Sequence, residues 1–216
     1  MGRVAGGRRS SGGAPGPGIA GIVHEIQAEV ARCHFCPGLK PWKKLSPEAF
    51  GTTTTGYMIV GEAPGEGARP FDDRGGRLLR DALREVGDQR YRELEELFFL
   101  AHAVRCRPVD TRLDRRRAPS KAECAGCRPY LALEMRALHP ELVLAIGTHA
   151  AEAVLERPVK LKMEHGARYR VETTEVIPLL VPSPSNTIAL GCHGYTLASY
   201  RTWLTGLFGT LIEQRG

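Results

Sequence analysis

The chain has 216 residues, 42% of them apolar, which suits one sizeable domain with a packed core. No apolar run is long enough to span a bilayer, and the arginine-bearing start lacks the apolar stretch of a secretory signal. We therefore expect a cytoplasmic protein with no membrane association. The net charge of +6 favours an acidic partner such as nucleic acid, or else is only a solvated surface.

Residues 1–18, MGRVAGGRRSSGGAPGPG, are basic and rich in Gly, Pro and Ser, and read as a disordered tail ahead of one domain over 19–216. Ile22, Val23, Ile26 and Val30 recur at helical spacing on a helix that runs into CHFC. Tyr57–Val60 predicts a strand. A helix follows with Leu78, Leu79, Leu83 and Val86 inward and Arg77, Arg80 and Arg84 outward. A second strand covers about Phe98–Val104. Ser120 caps a helix to about Leu138, with Pro129 as its point of kinking. Leu142–Ile146 is a third strand and Thr148 opens another helix. Strands near Tyr169–Glu172 and Val176–Val181 come next, then a final helix from about Thr196 to Glu213. The alternation predicts an α/β fold, a mostly parallel sheet covered on both faces.

The first strand runs into YMIVGEAPGEG, with glycine at 61, 65 and 67. A dinucleotide cradle needs G-x-G-x-x-G, but Ala63 takes the second glycine position and Pro64, which has no N–H to donate, follows it. No P-loop spacing is present either. The better reading is a stiff loop that places Glu62 at the carboxyl end of a strand. Three more such segments follow predicted strands: HAVRCRP, GTHAA and VPSPSN. Ligands of open α/β sheets bind at the carboxyl ends of strands, so the four loops should share one crevice.

Six cysteines stand at 33, 36, 106, 124, 127 and 192. Without a secretion signal, disulfides explain them poorly. The pairs Cys33/Cys36 and Cys124/Cys127 have zinc-site spacing. An iron–sulfur cluster on Cys33, Cys36, Cys106 and Cys127, with Cys124 spare, fits equally well, and spacing leaves both open. Cys192 reads as an unbound thiol.

From about residue 22 to the end, the ordered set CHFCP, IVGEAPGE, ARPF with GRLL, AVRCRP with CRPYL, LVLAIG and PSPSN resembles the iron–sulfur branch of the uracil-DNA glycosylase superfamily, families four and five. The resemblance implies a three-layer α/β/α sandwich and a [4Fe–4S] cluster on Cys33, Cys36, Cys106 and Cys127. It also implies a monomer that removes uracil or another deaminated base from DNA, working at the nucleoid. Glu62 would act at the sugar, the Ala63 backbone and Phe71 would hold the flipped base, and His102 would bond a carbonyl of that base. Ser183, Ser185 and Asn186 would contact phosphates or prop the groove, and Arg115, Arg116 and Arg117 would lie along the DNA backbone. The bland alternatives are a paired surface glutamate, a core phenylalanine, a satisfied histidine, turn chemistry and a solvated loop.

Two departures stand out. The late motif usually opens with histidine, and here it is Val181-Pro182-Ser183. His102 occupies a position where family four commonly carries asparagine. A binding or covalent abasic-site-capturing protein with little turnover is therefore the alternative to an enzyme. His149 and His193 are weaker site candidates, and His165 reads as a loop residue.

Overall fold

The computed structural model describes residues 18–36, 39, 50–65, 69–110, 112, 113 and 115–215, without the side chain of Arg115. The expected tail over residues 1–18 lies outside the described residues except for Gly18, and Glu66, Gly67 and Asp114 lie outside them too.

Helix α1 (Ile19–Ala31) leads to the first cysteine pair and buries Val23 and Ile26, whereas Ile22 stays exposed. Strand β1 (Tyr57–Gly61) is buried at every position, as its unbroken apolar run requires of a strand covered on both faces. Helix α2 (Arg74–Val86) starts at Asp73, whose carboxylate accepts from the Gly76 N–H at 2.9 Å. One turn, α3 (Leu94–Leu97), precedes β2 (Phe99–His102). The arginine-rich insert forms an antiparallel ribbon of β3 (Val109–Asp110) and β4 (Arg115–Arg116). Helix α4 (Lys121–Leu138) opens with a capping box between Ser120 and Glu123 and continues through Pro129. Next come β5 (Leu142–Ile146), α5 (Thr148–Leu155), α6 (Leu161–Glu164), β6 (Tyr169–Val171) and β7 (Thr174–Leu179). A 3-10 turn over Pro184–Asn186 leads to α7 (Thr187–Gly191) and α8 (Leu197–Glu213).

The sheet order is β2-β1-β5-β7-β6. The first four strands are mutually parallel, and β6 is an antiparallel edge. Helix α2 packs on α8, while α1, α4 and α5 pack in series, so helices flank the sheet in the expected three-layer arrangement. Among the described residues no helix is long and apolar enough to cross a membrane.

One expectation fails for a physical reason. Arg80, placed outward by helical spacing, is 3% exposed. Its two terminal nitrogens bond Glu95, Glu93 and the Pro70 carbonyl, so it is held inside as a paired charge.

Candidate active site and cysteine centre

The parallel strands deliver their carboxyl ends to one edge, where the four expected loops converge. The loop after β1 is pinned to the exit of β2 by backbone bonds: the Ala103 N–H to the Gly61 carbonyl at 2.8 Å, and the Val104 N–H to the Glu62 carbonyl at 3.0 Å. Phe71 lies flat on His102 above Gly61. A Cβ at Gly61 would sit 2.9 Å from Phe71 Cζ and 3.0 Å from His102 Cδ2, so glycine is what lets both rings pack there. A cavity of about 50 Å³ beside these rings is bounded by Glu62, Ala63, Ile146 and Val181, which is room for about one or two waters. It adjoins a groove of about 940 Å³ that shares Glu62, Arg116 and Val181 with it and extends past Thr148 to Ser183, Ser185 and Asn186.

Glu62 is held at the start of α5. Its Oε1 accepts from the His149 backbone N–H at 3.1 Å and lies 3.0 Å from His149 Nδ1. Burial opposes ionisation, but the His149 hydrogen bonds, with the charges of His149 and Arg116, outweigh it and hold the carboxyl below its usual pKa. The same pair raises the pKa of His149 above the usual imidazole value, against a smaller opposing effect of burial. Sequence reasoning ranked His149 low, because its partner lies 87 residues away.

His102 is 4% exposed. Burial, and then the charges of Arg105 and Arg116, keep its pKa well below the usual imidazole value, so the ring is neutral. Val181 lines both cavities at the place where the late motif would carry histidine. His165 sits among Tyr195, Tyr200 and Trp203 with His193 at 5.1 Å, its Nδ1 accepting from the Leu180 N–H. Neither His165 nor His193 lines the groove.

Two arginines of the insert, Arg116 and Arg117, are engaged by the protein itself. Arg116 pairs with Asp73 at 3.2 Å and donates to the Ala63 carbonyl at 3.0 Å, tying the ribbon to the catalytic-loop candidate. Arg117 pairs with Glu123 in the α4 cap. The Ala63 carbonyl thereby already accepts one hydrogen bond. Both arginines line the groove, together with Arg74, Lys160 and Lys162, whose side chains form no ion pair with the described residues. The two lysines went unnoticed in the sequence because they lie in a short connector, where charge reads as solvation. Ser183 and Ser185 bond one another, and Asn186 Nδ2 donates to the Val181 carbonyl, so turn chemistry holds these residues on the groove wall.

Cys33, Cys36, Cys106 and Cys127 surround one cavity of about 310 Å³, with Arg105 and Tyr130 in its wall. Cys124 does not line it, although it packs against the same apolar group, with Ala63 and Val104, as Cys36, Cys106 and Cys127. The Arg105 backbone N–H points at Cys127 Sγ, 3.4 Å away. Behind the cavity Arg105 pairs with fully buried Glu134, which also accepts from Gln27, so α1, α4 and the exit of β2 meet at one charge pair. Among the described residues no three His, Cys, Asp or Glu side chains converge as ligands of one metal ion. The thiols ring a space instead.

The profile of the uracil DNA glycosylase superfamily matches residues 48–196, which spans the groove and Cys106 and Cys127 but starts after the first cysteine pair. The chain is 34% identical over 138 residues to the type-4 uracil-DNA glycosylase of Pyrobaculum aerophilum, covering 62% of this chain and 63% of that protein. It is 30% identical over 152 residues to the type-4 enzyme of Saccharolobus solfataricus, covering 67% and 64%. To the type-5 uracil-DNA glycosylase of Mycobacterium leprae it is 24% identical over 177 residues, covering 65% and 73%. The matched stretch thus spans a little under two thirds of the type-4 relatives. With a matching profile over most of its length, a parallel sheet of the same class and four loops converging at one edge, this chain belongs to the uracil DNA glycosylase superfamily.

Proposed function

We propose that this protein is a monofunctional, monomeric DNA glycosylase that hydrolyses the N-glycosidic bond of uracil or another deaminated base. The observation that carries this is the carboxylate of Glu62, held ionised where a large groove meets a pocket edged by Phe71 and His102, while Asp73 beside it is engaged by Arg116 and the start of α2. The relatives named as uracil-DNA glycosylases support the substrate class.

A base inside a duplex must be extruded before chemistry. One face of Phe71 is taken by His102, so a base would stack on the opposite face. Bond breaking gives the sugar oxocarbenium character, which a carboxylate near C1′ stabilises, and the same group takes a proton from the attacking water. Neutral His102, stacked behind Phe71, would back that ring against the base, with no proton transfer. Arg74, Lys160 and Lys162 supply positive charge along the groove for phosphates, and Ser183, Ser185 and Asn186 supply polar groups beside them.

The ring of Cys33, Cys36, Cys106 and Cys127 fits a [4Fe–4S] cluster, with Cys124 outside the set. Held by these four thiolates, such a cluster would crosslink the segments that carry them and would supply a one-electron centre. The residues around it tie α1, α4 and the exit of β2 behind Ala63, which adjoins Glu62.

The test incubates anaerobically purified protein with single- and double-stranded oligonucleotides bearing uracil, hypoxanthine or xanthine, followed by alkali. Strand cleavage at the altered base is the expected result. The second reading, a binding or covalently capturing protein with little turnover, is favoured by Val181 at the usual histidine position. Tight binding without release of any base, or a denaturant-stable adduct formed without alkali, would establish it and sink the first.

A further inference from the structure

The turn from β5 into α5 reads Gly147-Thr148-His149. Gly147 has φ of +97°, and a Cβ on it would lie 2.4 Å from Glu62 Cγ. Glycine therefore does two things here: it adopts a left-handed backbone, and it lets the Glu62 side chain lie across the turn. The carboxylate then reaches the first turn of α5, where one residue supplies both bonds to Oε1, through its backbone N–H and its ring. Oε2 has no hydrogen-bond partner among the described residues, and Glu62 lines both the groove and the small pocket. Because an ionised carboxylate only accepts, the proton of the ring contact belongs to Nδ1, and Nε2 is the atom that titrates.

We propose that His149 is a positioning residue for base excision: it fixes Oε1 of Glu62 and so presents Oε2 to the sugar of a bound nucleotide. This rests on the reading of Glu62 as the carboxylate at C1′. In the step itself the C1′–N bond breaks and its electron pair leaves with the base, which takes its proton from solvent. Water adds its oxygen to C1′ and gives one proton to Oε2. The Nδ1 proton of His149 is not transferred. It holds the carboxylate through the reaction, as a carboxylate holds the imidazole in hydrolytic triads, with the roles reversed. The departure at Val181 removes a histidine from one wall of the groove, and this one stands on the next strand's loop.

The charged and titratable groups facing the pair are Arg116 from β4, Cys124 from α4 and Glu152 one turn along α5. Arg116 favours the ionised carboxylate and Glu152 favours the imidazolium. Neither bonds Oε1. Without the imidazole, burial of Glu62 loses its main opponent, and the carboxyl titrates at higher pH.

The experiment is the pH profile of single-turnover uracil excision for wild type, His149→Ala and His149→Asn. His149→Ala should lower the rate by about 10- to 100-fold and move the acid limb to higher pH. His149→Asn, whose amide N–H can reach Oε1, should restore part of both. An acid limb that stays in place in His149→Ala, whatever the rate, overturns the proposal, because loss of a merely structural residue lowers the rate uniformly. A second measurement needs no catalysis: nitrogen NMR titration of His149 in wild type and Glu62→Gln. Its pKa should drop in the variant, and an identical titration in both overturns the pairing. Wild-type protein that releases no base would instead sink the base-excision reading, while the NMR titration still decides whether the pair exists.

Discussion

The ring of Phe71 lies on that of His102 with centroids 4.8 Å apart and planes 18° from parallel. Phe71 reaches this position from a backbone with φ of +53°, which costs a phenylalanine energy and is held by its surroundings. The stack offers a flat wall, with a neutral imidazole behind it, to the pocket that Glu62 also lines. Phe71→Ala should weaken binding of uracil-containing DNA and slow excision, by an amount near the roughly 1–3 kcal/mol of one base–aromatic stack. His102→Ala should slow excision with a smaller effect on DNA binding, since its ring is 4% exposed and its face is covered by Phe71. Single-turnover rates and fluorescence anisotropy separate the two. Equal loss of binding in both variants would mean that the rings act only as packing.

The four thiols around the 310 Å³ cavity predict a brown protein with about four irons per chain. Cys33→Ala, Cys36→Ala, Cys106→Ala and Cys127→Ala should each lose colour, and Cys124→Ala should keep it. Iron assay and visible absorption check this. Stoichiometric zinc without iron, or colour lost at Cys124 as readily as at Cys127, would replace this ligand set.

Arg105 and Glu134 form a buried pair, 5% and 0% exposed. Removing one member leaves an uncompensated buried charge. Glu134→Leu should therefore cost about 3–5 kcal/mol, while Arg105→Met with Glu134→Leu should recover most of that. Urea unfolding of the three proteins measures it. A double variant no more stable than Glu134→Leu alone would show that the pair matters through packing rather than charge.

Much of this layout can be read in the sequence, and the reasons are local. YMIV ends in glycine and is continuous, so it reads as a doubly covered strand. Ser120 reads as a helix cap, and the structure has it there, with Glu123 completing a capping box. The convergence of four loops follows from strand order alone in a parallel sheet. What escapes is whatever depends on a partner far along the chain. Arg80 belongs to a run of outward arginines by spacing, and only Glu93 and Glu95, on a separate segment, turn it inward. His149 looks like one more polar residue in a helix's first turn until Glu62 is folded across it. Arg116 and Arg117 look like free cations because Asp73 and Glu123 are not yet beside them.

Buried His102 and half-buried His165 make stability fall with acid. Burial, with the charges of Arg105 and Arg116, depresses the pKa of His102, and burial, with the charge of His193, brings His165 to about 4. In the unfolded chain both titrate near the ordinary value of about 6.5. Below that pH the unfolded state binds protons that the folded state refuses, so stability drops as pH falls, for His165 across the window from about 6.5 to about 4. His149, with its raised pKa, works the other way: its contribution is present below the unfolded value and is lost as pH rises through the folded one. His165→Phe, which keeps an aromatic ring among Tyr195, Tyr200 and Trp203, should flatten the acid side of the profile. Urea midpoints near neutrality and about two pH units lower test this, and an unchanged difference would show that His165 is not a source of the acid sensitivity.

Lys160 and Lys162 project along the groove without ion pairs to the described residues, while Arg117, on the same wall, is bound to Glu123. A cation that neutralises a phosphate releases a counterion, and each such contact adds roughly 0.7–0.9 to the slope of log affinity against log salt. A cation already paired within the protein has little to release. Lys160→Ala with Lys162→Ala should therefore weaken binding to single- and double-stranded DNA and reduce the salt slope by about one to two. Arg117→Ala should leave the slope nearly unchanged and instead loosen the α4 cap, seen as a lower unfolding midpoint. Anisotropy titrations across a salt series give the slopes directly. A slope that falls with Arg117 and not with the lysines would put the nucleic acid on the ribbon side of the groove rather than across α6.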